Sequence, residues 1–395
     1  MDKLKILELT DAYYPNVDGV ISVVKNYTEN LNEVCECHVA APKPAKKSNY
    51  KDTASYKILR CASTMAPEKY RNATPYLDKK FIKAVKNEKY DLLHAHTPFG
   101  MGRCAIKLAK KQNIPLVATL HTQYHQDFER TLGKRSPLVK FMLKYILKTY
   151  NNADSVWTVS NASKKYLRDY GYKGEIKVIR NATDFVYPEN ANELIDKINK
   201  DYNLDGQKNV FLFVGRMAIY KNIPLILDAL KILDNAKTDF KMLFVGDGFD
   251  LKQIKEKCHD LGLDGKCIFT GGISDRKYLQ GFYLRSDLFL FPSTFDMASI
   301  CKCEAAAHKL ASVVVKDSCS AEEVVDGENG FLCEESPESL AEVLLKLIET
   351  PEVIKSAGEN AYKTLYRTWK DLAVEVKQAY EEIIKEYKEK HGDKK

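Results

Sequence analysis

The chain has 395 residues, more than one ordinary hydrophobic core accommodates, so two α/β domains are expected. With 45% hydrophobic and 29% charged residues it has the composition of a soluble globular protein, and no apolar run has the length of a membrane-spanning helix. Residues 1–185 carry a net charge of +14 and the remainder −7, which predicts that the first half faces an anionic surface or substrate.

Strands and helices alternate through the first half. The N-terminus reads as a strand and not as a secretory signal, which predicts a cytoplasmic protein with ten reduced cysteines. Strands are predicted at 5–9, 37–41, 92–95, 116–120, 155–159 and 176–179, with a first helix from about Val20 to Asn32. This alternation predicts a parallel, doubly wound sheet with ligands at the carboxyl ends of its strands. Polar residues cluster at those ends: Gly19, then 94–97, then 121–125.

A polar stretch without strong periodicity, from 181 to about 207, is predicted to be a linker. A second alternating series follows, with strands at 210–214, 242–245, 267–269, 288–291 and 312–315. The prediction is therefore two tandem doubly wound, Rossmann-like domains with a cleft between their facing strand ends. We place the domains at 1–185 and 186–368, and predict that a charged amphipathic helix at 369–395 packs back on the first domain.

Two strand ends of the second half carry charged residues. Arg216 and Lys221 follow the strand at 210–214, where a guanidinium and an ammonium could bind phosphate oxygens. After the strand at 288–291 come Asp296 and, eight positions later, Glu304, with a helix predicted to begin near Ala298. The N-terminus of such a helix directs free N–H groups and the positive end of its dipole at an anion.

A metal site is the weaker interpretation of the histidines. His121 and His125 lie four residues apart but follow a strand, and no glutamate completes an HExxH pattern. A strand-end histidine that hydrogen-bonds a ligand is the favoured interpretation, and we predict no metal site. Gly246-Asp247-Gly248 lacks the third glycine of a dinucleotide fingerprint and is interpreted as a tight turn.

The most distinctive helix is basic and amphipathic. Its cations are Lys134, Arg135, Lys140, Lys144 and Lys148, and an apolar stripe runs through Leu138, Phe141, Met142, Tyr145 and Ile146. A basic amphipathic helix too short to span a bilayer can lie on an anionic membrane surface. The alternative is that its apolar face is the core-facing side of a domain helix. The charge difference between the two halves favours the membrane.

Four of these motifs, in this order, resemble one family. They are Asp18-Gly19 after the first strand, Thr119-Leu120-His121, Gly215-Arg216 with Lys221, and Asp296 paired with Glu304. Over essentially the whole chain the sequence resembles the retaining glycosyltransferases of the GT-B fold known as family four. The loop 11–20 and the basic helix look most like members that glucosylate diacylglycerol at the cytoplasmic membrane face.

The resemblance implies a nucleotide sugar, most simply UDP-glucose, as donor. Gly19 would approach the donor diphosphate, His121 would contact the transferred sugar, and Arg216 and Lys221 would neutralise the leaving group, so that the chemistry needs no metal or other cofactor. Asp296 would bind sugar hydroxyls, Glu304 the ribose hydroxyls, and the backbone at Ser299 and Ile300 a phosphate. Where the family commonly has glutamate this chain has Asp296, and where it often has glycine it has Ser299.

The prediction is a cytoplasmic, peripheral membrane hexosyltransferase with a lipid acceptor and no nucleic-acid partner. A soluble or polysaccharide acceptor is an alternative within the same enzyme class. A nucleotide-sugar epimerase, or a non-catalytic protein that binds nucleotide sugars or a membrane surface, is an alternative from another class.

Overall fold

A computed structural model describes residues 3–16, 18–45, 48–65 and 71–392. The chain divides into two compact units, the first formed by Met1–Asn181 with Trp369–Lys395 and the second by Ala182–Thr368. Each contains a sheet in which every neighbouring pair of strands is parallel, as the alternation of strands and helices predicted.

The first unit is built on a sheet of order β3-β2-β1-β6-β7-β8-β9. Its strands are β1 (Lys5–Leu9), β2 (Glu36–Pro42), β3 (Ile58–Cys61), β6 (Leu92–Ala95), β7 (Leu116–Leu120), β8 (Ser155–Thr158) and β9 (Lys177–Val178). A separate antiparallel pair is formed by β4 (Ser63–Met65) and β5 (Arg71–Ala73). The predicted bounds of β1, β6 and β7 agree with the structure, whereas β3, β4 and β5 were not predicted.

The helices of the first unit are α1 (Gly19–Leu31), α2 (Lys79–Asn87), α3 (Gly100–Gln112), α4 (Tyr124–Leu132), α5 (Pro137–Tyr150), α6 (Lys164–Asp169) and the C-terminal α14 (Trp369–His391). The last of these packs against α1 and buries Trp369 and Tyr380. The end of the chain therefore completes the first unit.

The second unit has the sheet order β12-β11-β10-β13-β14-β15. Its strands are β10 (Val210–Val214), β11 (Lys241–Val245), β12 (Cys267–Gly271), β13 (Leu288–Phe291), β14 (Ser312–Val315) and β15 (Phe331–Cys333). Its helices are α7 (Ala191–Tyr202), α8 (Ile223–Asn235), α9 (Leu251–Asp260), α10 (Arg276–Arg285), α11 (Ile300–Ala307), α12 (Pro337–Ile348) and α13 (Pro351–Thr364). Strands such as β10 are buried along their whole length, because helices cover both faces of a parallel sheet.

The linker predicted at 181–207 is wrong, because the twelve-residue helix α7 forms its central part. Leu194 and Ile198 on this helix are buried, and α7 packs closely against α10. A Cβ on Gly281 of α10 would lie 2.7 Å from Cγ1 of Ile198, so the glycine permits this approach. Only two of twelve positions in α7 are buried. Most of the others are polar or charged, so the sequence shows no clear helical repeat of apolar residues.

The strand order positions the functional residues. In each unit the connections run in opposite directions from two adjacent central strands, β1 and β6 in the first and β10 and β13 in the second. A crevice opens outside the carboxyl ends of such a pair, and ligands bind there in open α/β sheets.

Candidate functional site

Lys221 and Asp296 meet at the crevice of the second unit. Lys221 lies on a 3-10 turn, Ile219–Lys221, after β10, and Asp296 follows β13. Because these strands are neighbours, the Lys221 ammonium reaches Oδ1 of Asp296 in an ion pair whose side chains are 14% and 21% exposed. Oδ2 of the same carboxylate accepts a hydrogen bond of 2.5 Å from Ser293 Oγ. Two motifs separated by 75 residues thus form one polar group that remains partly exposed.

Glycines shape the loop that carries Arg216. A Cβ on Gly246 would lie 1.9 Å from the carbonyl oxygen of Gly215, and one on Gly248 would lie 2.3 Å from that of Met217. The Gly-Asp-Gly turn therefore packs directly on the backbone at either side of Arg216, whose side chain is half-buried. These three residues lie in the short connection between β11 and α9, where they support a cationic loop.

The helix after β13 begins with an uncapped end. α11 starts at Ile300, two residues later than predicted, and the side chain of its N-cap, Ser299, makes no capping hydrogen bond. The first N–H groups of a helix have no acceptor within the helix. An anion at this end would accept those hydrogen bonds and interact favourably with the helix dipole.

Glu304 is held by a cation and a phenol. Its side chain is 5% exposed, Oε1 accepts from Arg276 Nη2 at 2.9 Å, and Oε2 accepts from Tyr283 OH at 2.6 Å. Arg276 also pairs with Asp184 and lies 3.8 Å from the ring centre of Phe185. Burial lowers the pKa of Arg276, but the two carboxylates outweigh burial and raise it. An ionised carboxylate has about four lone-pair sites, so Glu304 can still accept hydrogen bonds from a ligand.

In the first unit, Glu8, His96 and His121 form a hydrogen-bonded chain across three adjacent strands. Oε2 of Glu8 lies 2.7 Å from His96 Nε2, and His96 Nδ1 lies 3.0 Å from His121 Nε2. Glu8 and His96 are fully buried, while His121 at the end of β7 is partly exposed. Burial and the neighbouring rings of His96 and His94 hold the pKa of His121 well below its usual range, so its imidazole is neutral at neutral pH.

The other side of Glu8 is closed by His94 and Tyr380. Tyr380 OH donates to Oε1 of Glu8 at 3.2 Å and lies 2.6 Å from His94 Nδ1, and His94 Nε2 lies 2.7 Å from Thr119 Oγ1. Burial alone would raise the pKa of Glu8, but His94 and His96 outweigh burial and lower it to about 2. The carboxylate is therefore ionised although it is fully buried.

The loop after β1 joins this network to the start of α1. The Asp11 carboxylate accepts from the N–H groups of Met101 at 2.8 Å and Phe99 at 3.1 Å, which fixes the loop to the beginning of α3. Burial raises the pKa of Asp11 to about 6. Asp18 caps α1, and a Cβ added to the next residue, Gly19, would meet nothing within 4 Å. The space beside Gly19 is open.

The basic helix is α5, and its predicted apolar stripe is divided. Ile146 is buried, whereas Leu138 is 54% and Phe141 63% exposed. The cations predicted for this region are all exposed: Lys134, Arg135, Lys140, Lys144 and Lys148. Part of the stripe thus packs in the domain, and part lies among cations in solvent. Within the described part of the chain, no helix combines the length and apolar character needed to cross a bilayer.

His121 and His125 have different partners. His121 is stacked on His96, with ring centres 5.2 Å apart, whereas His125 Nδ1 lies 3.7 Å from Glu129 on α4. The two histidines therefore have different local contacts.

Sequence reasoning missed Glu8, Tyr380 and Arg276. Glu8 had a detectable signal, because it is a carboxylate in an otherwise apolar strand after Lys5. A charge in a central parallel strand has to find partners on the neighbouring strands. Arg276 is the first residue of α10 and, like Arg216, lies in the segment that follows a strand. Tyr380 is distant in sequence from these residues, and its local sequence did not indicate a functional role.

Two family descriptions match consecutive parts of the chain. Glycosyltransferase Family 4 matches residues 17–186, and Glycosyl transferases group 1 matches residues 194–364. Together they span most of the chain, with their junction near the boundary between the two units.

Relatives of known name are similar over most of their length. The chain is 26% identical to an alpha-monoglucosyldiacylglycerol synthase of Acholeplasma laidlawii over 370 residues, covering 91% of this chain and 92% of the relative. It is 22% identical to a GDP-mannose-dependent alpha-mannosyltransferase of Corynebacterium glutamicum, covering 96% and 89%.

Solved structures share the fold. An Anabaena protein crystallised with UDP and glucose superposes with a TM-score of 0.75 at 19% identity, covering 96% of this chain and 99% of the other. A sucrose-phosphate synthase of Thermosynechococcus elongatus superposes with a TM-score of 0.79 at 18% identity, covering 97% and 100%.

Proposed function

The chain belongs to the family 4 and group 1 glycosyltransferases and has the GT-B fold, and from this premise we propose that it transfers glucose from UDP-glucose to a membrane lipid such as diacylglycerol, with retention of the anomeric configuration. The observation that carries the proposal is the pairing of Lys221 with Asp296 at the crevice of the second unit. A nucleotide sugar needs a cation for its diphosphate and an acceptor for its sugar hydroxyls, and this pair supports the assignment of both.

The donor's diphosphate is assigned to cations and backbone. Arg216, Lys221 and the N–H groups at Ser299 and Ile300 supply positive charge and donors for its oxygens. Because these groups are fixed before the reaction, they stabilise the charge that develops on the leaving UDP without a metal or other cofactor.

The carboxylates are assigned to hydroxyls. Asp296 binds hydroxyls of the sugar, and Glu304 binds those of the ribose, while Lys221 and Arg276 offset their charge. The ion pair with Lys221 also explains how a side chain one methylene shorter than glutamate is kept in place. These two residues therefore anchor the donor and do not act as an acid–base pair.

The reaction exchanges one C–O bond for another. The bond from the anomeric carbon to the diphosphate breaks, and the acceptor hydroxyl oxygen forms a bond to that carbon on the same face. The hydroxyl proton passes to an oxygen of the leaving phosphate. Charge stabilisation by Arg216 and Lys221 is the main contribution of the second unit, and His121 contacts the transferred sugar.

A lipid acceptor is supported by α5 and by the relatives. Leu138 and Phe141 lie exposed among the cations of α5, which suits a peripheral position on the anionic inner face of the cell membrane. One relative is named for a glucosylated diacylglycerol. Another is named for GDP-mannose, so relatives of similar identity differ in their donor.

The decisive experiment offers radiolabelled UDP-glucose, UDP-galactose, UDP-N-acetylglucosamine and GDP-mannose singly, with diacylglycerol in anionic vesicles. We expect α-linked glucosyl lipid from UDP-glucose, at a rate unchanged by EDTA. A labelled soluble glycan, formed when glycans replace the lipid, would support the alternative acceptor. Epimerised donor formed without an acceptor would support the epimerase. Binding of the donor without any product would support the non-catalytic alternative.

Gly19→Leu is expected to lower donor affinity strongly without destabilising the fold. The added side chain fits into free space beside Gly19, so the fold is unaffected, but it fills the space that we assign to the diphosphate. Gly265→Leu is the matched control: that glycine is also exposed, and a Cβ there meets nothing within 4 Å. Titration calorimetry with UDP would measure affinity, and thermal unfolding would measure stability. Equal UDP affinity in both variants would remove Gly19 from the donor site.

A further inference from the structure

The hydrogen bonds that link Glu8, His96 and His121 indicate which ring nitrogens carry protons. An ionised carboxylate only accepts hydrogen bonds, so His96 Nε2, 2.7 Å from Glu8 Oε2, carries a proton. The proposal takes His96 as an imidazole with this single N–H, which leaves its Nδ1 as an acceptor. That atom lies 3.0 Å from His121 Nε2, so His121 Nε2 is the donor and His121 Nδ1 is left unprotonated.

We propose that Glu8 and His96 are positioning residues that hold His121 with its proton on Nε2 and its Nδ1 lone pair free to accept a hydrogen bond from a substrate hydroxyl. The inference rests on the proposed function, because it takes His121 to contact the transferred sugar or the reacting hydroxyl. Among the described residues, His121 Nε2 bonds only to His96, and the structure records no partner for Nδ1.

The surroundings keep this arrangement rigid. The rings of His96 and His121 stack at 21°, and the ring of Tyr27 packs edge-on against His96 at 5.6 Å. Parallel pairing places Glu8 beside His94, and His94 and His96 project from the same face because they are two residues apart. His94, His96 and Tyr380 lie against the carboxylate, and each is hydrogen-bonded within this network.

The function of the arrangement is to select one of two tautomers. A free histidine at the end of a strand could present either an N–H or a lone pair to a ligand. A ligand hydroxyl that meets a lone pair donates its proton to the hydrogen bond and becomes more electron-rich at oxygen. The imidazole of His121 thus orients a hydroxyl, while its second nitrogen stays fixed in the protein.

The first test uses the unaltered protein. Two-bond ¹H–¹⁵N correlation NMR at neutral pH reports which ring nitrogen of each labelled histidine is protonated. The chain has eight histidines, and the His121→Asn variant identifies the signals of His121. The expected result is a proton on Nε2 and none on Nδ1. A proton on Nδ1, which is what a doubly protonated His96 would impose, overturns the proposal.

The second test separates positioning from folding. His96→Phe keeps a ring in the stack but removes the acceptor of His121, and kcat should fall by about 10- to 100-fold, as when an outer partner of a functional histidine is removed. The fall in kcat should exceed any change in the KM for the donor, and the His121 signals should show both tautomers. Tyr90→Phe is the control, because it removes a buried hydrogen bond to His38 in the same unit, apart from Glu8, His96 and His121, and it should alter neither kcat nor the tautomer.

The outcomes distinguish this inference from the proposed function. If the unaltered protein transfers no sugar, the proposed function fails, and the tautomer can still be measured. If it transfers glucose and His96→Phe retains the full rate, the positioning role fails alone. If His96→Phe does not fold, the tautomer of the unaltered protein still decides the question.

Discussion

Replacing Lys221 by alanine is expected to lower kcat/KM for sugar transfer by about 10²- to 10³-fold, the loss typical of removing one preorganised donor from a developing oxyanion. Lys221 is 14% exposed and paired with Asp296, which is itself 21% exposed. Removing one partner costs about 1 kcal/mol or less in an exposed ion pair and about 3 kcal/mol or more in a buried one, and this partly exposed pair, in which Asp296 keeps its hydrogen bond from Ser293, lies between the two. Transfer should therefore be lost without unfolding, as measured by steady-state kinetics and denaturant titration.

A matched control makes this result specific. Lys257 forms an ion pair of 2.8 Å with Asp228 in the same unit, away from the strand ends that form the crevice. Lys257→Ala should leave kcat/KM unchanged, whereas Arg216→Ala should behave like Lys221→Ala. If Lys221→Ala retains full activity, the diphosphate is not bound by this residue, and the assignment of the second crevice has to be revised.

The repeated alternation of apolar strands and amphipathic helices was sufficient to predict the fold. Strands such as Val210–Val214 are continuous apolar runs ended by polar residues, and their bounds could be read directly. Short strands without that contrast, such as Phe331–Cys333, were missed, because three residues give no period. The helix Ala191–Tyr202 was missed because most of the residues that it does not bury are polar or charged.

The candidate site was predictable only where its residues follow strands. Lys221 and Asp296 were both singled out, and the strand order explains why they meet. Their ion pair was not predicted, because it depends on the order of the strands in the sheet, which the sequence does not state. The contact of Tyr380 with Glu8 joins residues 372 positions apart, and only the packing of the C-terminal helix creates it.

Neutralising Lys140, Lys144 and Lys148 with glutamine is expected to weaken binding to anionic vesicles about 100-fold. Each basic residue near an anionic membrane contributes about 1 kcal/mol, and three of them together correspond to about two powers of ten in the partition constant. All three are exposed on α5, and Phe141 beside them is 63% exposed. Sedimentation with vesicles containing phosphatidylglycerol measures the loss, and vesicles of phosphatidylcholine alone provide the uncharged reference.

The control is a second triple variant with the same change in net charge. Lys80, Lys83 and Lys86 are exposed on α2 of the same unit, so their replacement by glutamine tests total charge without touching α5. Equal losses in the two triple variants would mean that no specific face meets the membrane. Phe141→Ser separates the hydrophobic contribution to membrane binding from the electrostatic one. Salt screens charges, so high ionic strength should abolish the effect of the lysine substitutions. The loss caused by removing an inserted ring should persist at high ionic strength. If both losses vanish in salt, α5 does not insert its exposed apolar residues, and attraction between charges alone brings the enzyme to its lipid acceptor.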